Sequence, residues 1–297
     1  PGDVADTIAQ DAGGLDSEVM EQIRRDYGLD LPLWQQMLKY FSRVVLLDLG
    51  YSFYYNQPVT TLILEKLPAT LLLVISAQVI SIFLGVLLGV MAACKPNGMT
   101  SHFVTVISLV GYAAPVFWTG IMLIILFASI IPLFPIGNMV DVSVEREGFA
   151  YVLDVLHHLV LPMLTLGSIF LALYSRLARA SMLDVLGSDF VRTARAKGLS
   201  EFQVIFKHAL RNALLPVVTT AGLAFSGIMS GAVLVETVFS WPGLGTLAVQ
   251  AIVARDTPTI LGILFFSSLV VIVANLLTDM VYRIIDPRIK TSAESQV

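Results

Sequence analysis

The sequence predicts an all-α, polytopic membrane protein, and three observations carry that expectation. The first is composition: of 297 residues, 56% are hydrophobic and 13% charged, which leaves too few polar side chains to clothe a soluble domain of this length. The second is a set of five uncharged runs, at about 69–94, 103–131, 159–175, 213–235 and 257–278. Each approaches or exceeds the roughly 20 residues that cross a bilayer as helix. Inside lipid every backbone amide must be satisfied within its own segment, so these runs are expected as helices and not strands. The third is alternation of charge between the runs. The segments 95–102, 176–212 and 279–297 hold 11 basic and 6 acidic residues, whereas 1–68, 132–158 and 236–256 hold 7 basic and 16 acidic. Basic loops stay on the cytoplasmic side, so the first set and the C-terminus are expected there.

Taken in order, residues 1–68 form an acidic external segment with 10 acidic against 5 basic residues. Its opening Pro1-Gly2-Asp3 follows no apolar run, which suggests that a first helix or a signal peptide precedes it. Ser17–Tyr27 reads as a short helix and Leu31–Leu47 as an amphipathic one rich in Leu and aromatics; Asp48-Leu49-Gly50-Tyr51-Ser52 reads as a turn. Cys94, the single cysteine, falls at a membrane boundary and reads as a small apolar helix-end residue, so no disulfide framework exists. The loop 132–158 opens with Pro132, Pro135 and Gly137 and becomes acidic through Asp154. A further loop, Phe239-Ser240-Trp241-Pro242-Gly243-Leu244-Gly245, feeds the apolar stretch 246–254. It fits either a segment that dips back toward the membrane or a surface loop with an interfacial Trp anchor. The tail 291–297 is short and polar.

The informative insert is the hairpin at 181–212. Ser181–Lys197 is expected as one helix, with Leu183, Leu186, Phe190 and Ala194 on one face and Arg192, Arg195 and Lys197 elsewhere. Gly198 breaks it as a left-handed C-terminal residue does. Ser200 with Gln203 has the form of a capping box that starts a second helix. That helix carries Phe202, Ile205, Phe206 and Ala209 at helical spacing. Such a pair can fill a groove on another protein or lie on the bilayer surface, and helical patterning alone fits both.

The run Thr193-Ala194-Arg195-Ala196-Lys197-Gly198-Leu199, nine residues, then Ala209-Leu210-Arg211-Asn212-Ala213-Leu214-Leu215-Pro216, resembles the cytoplasmic loop of ABC importer permeases. More narrowly it is similar to the dipeptide, oligopeptide and nickel permease group. Thr193-Ala194-Arg195-Ala196 stands where the wider family has Glu-Ala-Ala, without the glutamate. Pro1-Gly2-Asp3, Asp48-Leu49-Gly50-Tyr51-Ser52, the stretch Glu236 to Gly245 with Trp241, Pro242 and Gly243, and Asp286-Pro287-Arg288 resemble further family motifs in family order.

The resemblance implies the transmembrane domain of a type I ABC importer over 69–290, preceded by a first span upstream. It implies a subunit that forms half of a translocation pathway in a bacterial or archaeal plasma membrane and performs no chemistry itself. ATP and Mg belong to two cytoplasmic ATPase subunits, in keeping with a sequence that has no GxxxxGK[ST] pattern. The other implied partners are a second homologous permease subunit, an external substrate-binding protein and membrane lipid. No nucleic acid, bound cofactor or metal is implied. Residues Ala194 to Leu210, with Ala196, Gly198 and Leu199 at their turn, become the ATPase-coupling element. Phe202, Ile205 and Phe206 would be its groove contact, and Arg195, Lys197, Glu201 and His208 its polar rim. Relatives move dipeptides, longer peptides, glutathione-like thiols, opines, nickel chelates and some sugars.

Pathway candidates are the polar or flexible residues inside apolar runs: Gln78 and Ser81, Tyr112 with Pro115 and Trp118, Ser168, Ser226, Ser230 and Asn275. Each also reads as an interhelical hydrogen bond or a packing kink. A secondary transporter would carry carboxylates within the spans, and an intramembrane enzyme a HExxH pair or a nucleophile with its base; the runs contain neither.

Overall fold

The computed structural model describes residues 17–27, 31–52 and 54–285. The motifs at Pro1-Gly2-Asp3 and Asp286-Pro287-Arg288, and the tail 291–297, lie outside them. The helices are α1 (Ser17–Tyr27), α2 (Leu33–Val45), α3 (Val59–Cys94), α4 (Met99–Ala113), α5 (Val116–Ile124) and α6 (Gly148–Leu186). They continue with α7 (Asp189–Ala196), α8 (Glu201–Gln203), α9 (Leu210–Ala213), α10 (Leu215–Val238), α11 (Leu244–Val253) and α12 (Thr257–Ile285). Among the described residues four helices are long and apolar enough to span a membrane, within Val59–Cys94, Gly148–Leu186, Leu215–Val238 and Thr257–Thr278; a bent pair of helices makes a fifth candidate.

The spans differ from the uncharged runs at their ends. The first begins at Val59 and not at 69, because Glu65 and Lys66 end the uncharged run without breaking the helix, and Pro68 is carried inside it. The run 103–131 is not one helix. At Ala114-Pro115 the ring of Pro115 removes a backbone donor and holds Ala114 extended (φ −75°, ψ 134°), so α4 and the segment Val116–Ile130 meet at 109°. The third run is the middle of a 39-residue helix that starts at Gly148, so the end of the expected loop 132–158 is helical.

The chain divides into two compact units, one combining the described residues up to Thr70 with Pro242–Leu269, the other Leu71–Trp241 with the described residues from Val270. The first unit closes on Val44, Leu49, Val59, Leu62, Ile63, Leu244, Leu247, Ile263 and Phe266. Among its described residues the unit also holds one short β link, where the sequence reads as a turn at Asp48 to Ser52. Tyr51–Ser52 pairs antiparallel with Gln57–Pro58, across a turn in which Asn56 takes φ 53° and accepts a 2.7 Å hydrogen bond from the Tyr51 hydroxyl. Asp256, 7% exposed, ties this link to α12 by accepting from Ser52 Oγ (2.5 Å) and Thr259 Oγ1 (2.6 Å). Thr70 Oγ1 accepts from the Leu244 N–H at 2.7 Å and so fixes the start of α11.

The second unit is built on α6. Gly85 and Gly89 of α3 lie so close to it that a Cβ would stand 2.8 Å from Tyr174 Cβ at the first, and 2.6 Å from the Ser175 carbonyl at the second. Ser81 Oγ donates across the same contact to the Gly167 carbonyl at 2.9 Å. Before α6, Asp154 is nearly buried; it pairs with Arg146 and accepts from the Asp141 N–H at 2.8 Å, which draws the preceding loop onto the helix start.

Candidate functional site

The hairpin is built from local signals and then seated by packing. Ser181–Lys197 is not a single helix: α6 ends at Leu186, Gly187 and Ser188 turn the chain, and α7 restarts at Asp189. Ser188 is the extended residue before α7 and spends its hydroxyl on the Val185 carbonyl at 2.5 Å. Asp189 in the first turn and Arg195 in the last match the helix dipole. Gly198 takes φ 78°, a left-handed conformation that a side chain disfavours. The capping box then forms, with Ser200 Oγ accepting from the Gln203 N–H at 3.4 Å and Gln203 Oε1 accepting from the Ser200 N–H at 3.3 Å.

From Val204 to Ala209 the helix widens to i→i+5 hydrogen bonding. That departs from the spacing used to group Phe202, Ile205, Phe206 and Ala209 on one side. Ala209 is fully buried, Ile205 is partly buried, and Phe202 and Phe206 stay 70% and 44% exposed. The inward side instead consists of Val191, Ala194, Val204, Ala209 and Ala213, packed on Val90, Ala93 and Met182. Val191 and Val204 are completely buried, and each contributes about 1.5–3 kcal/mol. Sequence patterning missed both, because Val191 falls off the face defined by Phe190 and Val204 off that defined by Phe202. Leu183, Leu186 and Leu199 pack at the margin of this core, while Phe190 is 45% exposed.

The outward side is an aromatic pair framed by charge. The Phe202 and Phe206 rings lie 4.6 Å apart. Arg195 holds Glu201 in a fork, Nε to Oε1 at 2.9 Å and Nη2 to Oε2 at 3.3 Å, which links the end of α7 to the start of α8 across Gly198. Ala196 and Lys197 are exposed beside the turn, and His208 is half-buried. Seven of the eleven hairpin residues singled out from sequence are therefore on the exposed side; Ala194 is buried, and Leu199, Ile205 and His208 are intermediate.

Residues 85–291 match the family described as binding-protein-dependent transport system inner membrane component. The chain is 39% identical over 307 residues to the dipeptide transport system permease protein DppB of Escherichia coli strain K12, covering 98% of this chain and 90% of the relative. It is 40% identical to the oligopeptide transport system permease protein AppB of Bacillus subtilis strain 168, covering 91% of this chain and 84% of that one. The chain belongs to this family of inner membrane components. Its fold is that of an ABC importer membrane subunit: a chain of the MetNI methionine ABC transporter, in inward-facing conformations, superposes with a TM-score of 0.60 at 15% identity, covering 76% of this chain and 96% of that one.

Within this inner membrane component the polar residues of the spans divide by what they bond. Gln78 joins three helices, donating from Nε2 to the Tyr174 hydroxyl and to the Ala221 carbonyl, both at 2.9 Å. Ser168 and Ser230 bond carbonyls of their own helices, at Thr165 and Ser226. The Tyr112 ring carries the Arg176 guanidinium 4.7 Å from its centroid. Trp118 and Asn275 are exposed, and Ser226 is partly so. The motif from Glu236 to Gly245 is interior rather than peripheral. Trp241 and Glu236 are fully buried, so Trp241 is not the interfacial anchor of a surface loop. Ser240 at φ 52° makes the turn, the Trp241 N–H donates to the Glu236 carbonyl at 2.8 Å, and the Phe239 carbonyl accepts from the Asn138 N–H at 2.8 Å. Pro242 and Gly243 then lead into α11.

Proposed function

We propose that this chain is one membrane half of an ATP-driven, binding-protein-dependent importer of peptides, and that its hairpin from Asp189 to Ala213 is the seat of a cytoplasmic ATPase subunit. The cargo class rests on the near full-length similarity to dipeptide and oligopeptide permeases. The coupling role rests above all on one observation: two phenylalanines in ring contact stand exposed on an element whose other side is buried against the ends of α3 and α6. An aromatic pair on a rigid base is the form of an anchor for a groove. Phe202, Ile205 and Phe206 enter the ATPase cleft, and Arg195, Lys197, Glu201 and His208 ring it. Ala194 and Leu199 bind the hairpin to the spans, so a push on the anchor reaches α3 and α6 as a rigid movement.

In this reading the basic face of the hairpin and the C-terminus are cytoplasmic, and the acidic segment before α3 faces the external binding protein. ATP and Mg are held by the two partner ATPase subunits, and a second homologous permease subunit completes the pathway. Gln78, Tyr112, Trp118, Ser168, Ser226, Ser230 and Asn275 remain the residues to test as its lining.

The deciding experiment is Phe206→Asp in the reconstituted transporter with its ATPase subunits and binding protein. Loss of an anchoring aromatic removes about 2 kcal/mol or more, so ATPase affinity should fall by roughly 30-fold or more while the chain still inserts and folds. Uptake should fall with it. Wild-type binding and uptake in that variant would reject the hairpin as the ATPase seat.

A further inference from the structure

Helix α2, within the acidic segment before α3, carries large exposed apolar side chains. At 3.6 residues per turn its side chains separate into three faces. Val44 turns into the core of the first unit, and Tyr40 packs against it. Gln35, Ser42 and Arg43 make a polar face. The third face holds Trp34, Met37, Leu38, Phe41 and Val45, within an arc of about 100°. These five are between 57% and 82% exposed. A contiguous patch of this kind marks an interaction surface.

What covers it follows from the neighbours of the helix. Met37, Tyr40 and Phe41 share an apolar hollow of ≈ 420 Å³ with Pro258 and Leu261, which lie in the first turns of α12. That part of α12 is the start of a membrane span, Thr257–Thr278. The helix thus lies beside the end of a span, at the level where acyl chains give way to headgroups. Lys39 and Arg43 line the same hollow. Trp34 and Tyr40 are of the types that collect at this level, and a helix with one apolar and one basic face is the form that lies there.

We propose that α2 is an interfacial helix, its Trp34, Met37 and Phe41 face set into the acyl boundary of the bilayer. This is independent of which side of the membrane the segment occupies and of the identity of the cargo.

The test uses nitroxide labels at Met37→Cys, Phe41→Cys and Ser42→Cys. Each is made in the full-length chain with its only cysteine replaced, Cys94→Ser, and reconstituted with its partner subunits in vesicles of phosphatidylethanolamine and phosphatidylglycerol. Labels at 37 and 41 should relax several-fold more with oxygen than with a water-soluble nickel chelate, and the label at 42 should show the reverse. If 37 and 41 respond to the chelate as 42 does, the face is in water and the proposal fails. If they are shielded from both reagents, a protein surface covers the helix and the proposal also fails.

Discussion

Gly198 has no atom within 4 Å of where a Cβ would stand, so its requirement is conformational and not steric. At φ 78° a β-branched residue is strained by roughly 1–2 kcal/mol or more. Gly198→Val should therefore tilt α7 against α8, break the Arg195–Glu201 fork, and lower substrate-stimulated ATP hydrolysis and uptake with normal membrane insertion. Gly198→Asn, which tolerates the left-handed region, should retain most of both; parallel ATPase and uptake assays on the two variants check this. A second residue-scale expectation concerns Asp141 in the loop before α6. Hydrogen bonds from the Ser143 hydroxyl and N–H, and then the Arg146 charge, hold its carboxyl below the usual carboxylate range. A lowered folded value means that the carboxylate supports the loop above its unfolded pKa, and that this support is lost as pH falls through the folded one. Ser143→Ala removes the leading cause, so loop protection should weaken at neutral pH and vary less with acidification. Hydrogen exchange across 139–147 as a function of pH reads both effects.

Helix contacts set the next level. Gly85 and Gly89, four apart on α3, let it approach α6 until backbone meets backbone, in the small-residue manner of membrane helices. At Gly89 the obstacles are the Ser175 carbonyl and the Arg179 N–H, which cannot rotate away. Gly89→Ala should lower stability by about 1–3 kcal/mol, seen as an earlier thermal aggregation midpoint in detergent, and Gly89→Leu should prevent recovery of folded protein. That motif stands in the sequence as Gly85-Val86-Leu87-Leu88-Gly89, but absence of charge does not tell which small residues meet a neighbouring helix. It does not tell where a helix ends either. Absence of charge locates the stretch that must be in lipid, whereas a helix stops only where its hydrogen bonding does, so Val59 and Gly148 lay outside the runs. Pro115 in the sequence does not by itself mark a hinge, because a proline in a long span can be carried within one helix, as Pro68 and Pro162 are.

At the scale of the molecule the fold was legible because membrane spans announce themselves by composition, and the hairpin because its glycine and capping box act over a few residues. The interior of the hairpin was not. Val191 and Val204 are buried by Val90, Ala93 and Met182, partners distant in sequence, and the i→i+5 segment carries no local signature. The short β link was equally hidden, since two-residue strands are fixed by the turn between them. On the proposed reading, in which partner subunits hydrolyse ATP and this chain moves in response, the purified chain should release no phosphate from ATP, and activity should appear only when ATPase partners are added; a malachite green assay with and without them decides this. The burial of the turn at Ser240 has a further use. The sequence has three tryptophans, of which Trp34 and Trp118 are 61% and 48% exposed and Trp241 not at all. With Trp34→Phe and Trp118→Phe, Trp241 becomes an optical reporter: it should give a blue-shifted, iodide-resistant emission, and reddening of that emission during turnover would record the turn at Ser240 opening to water.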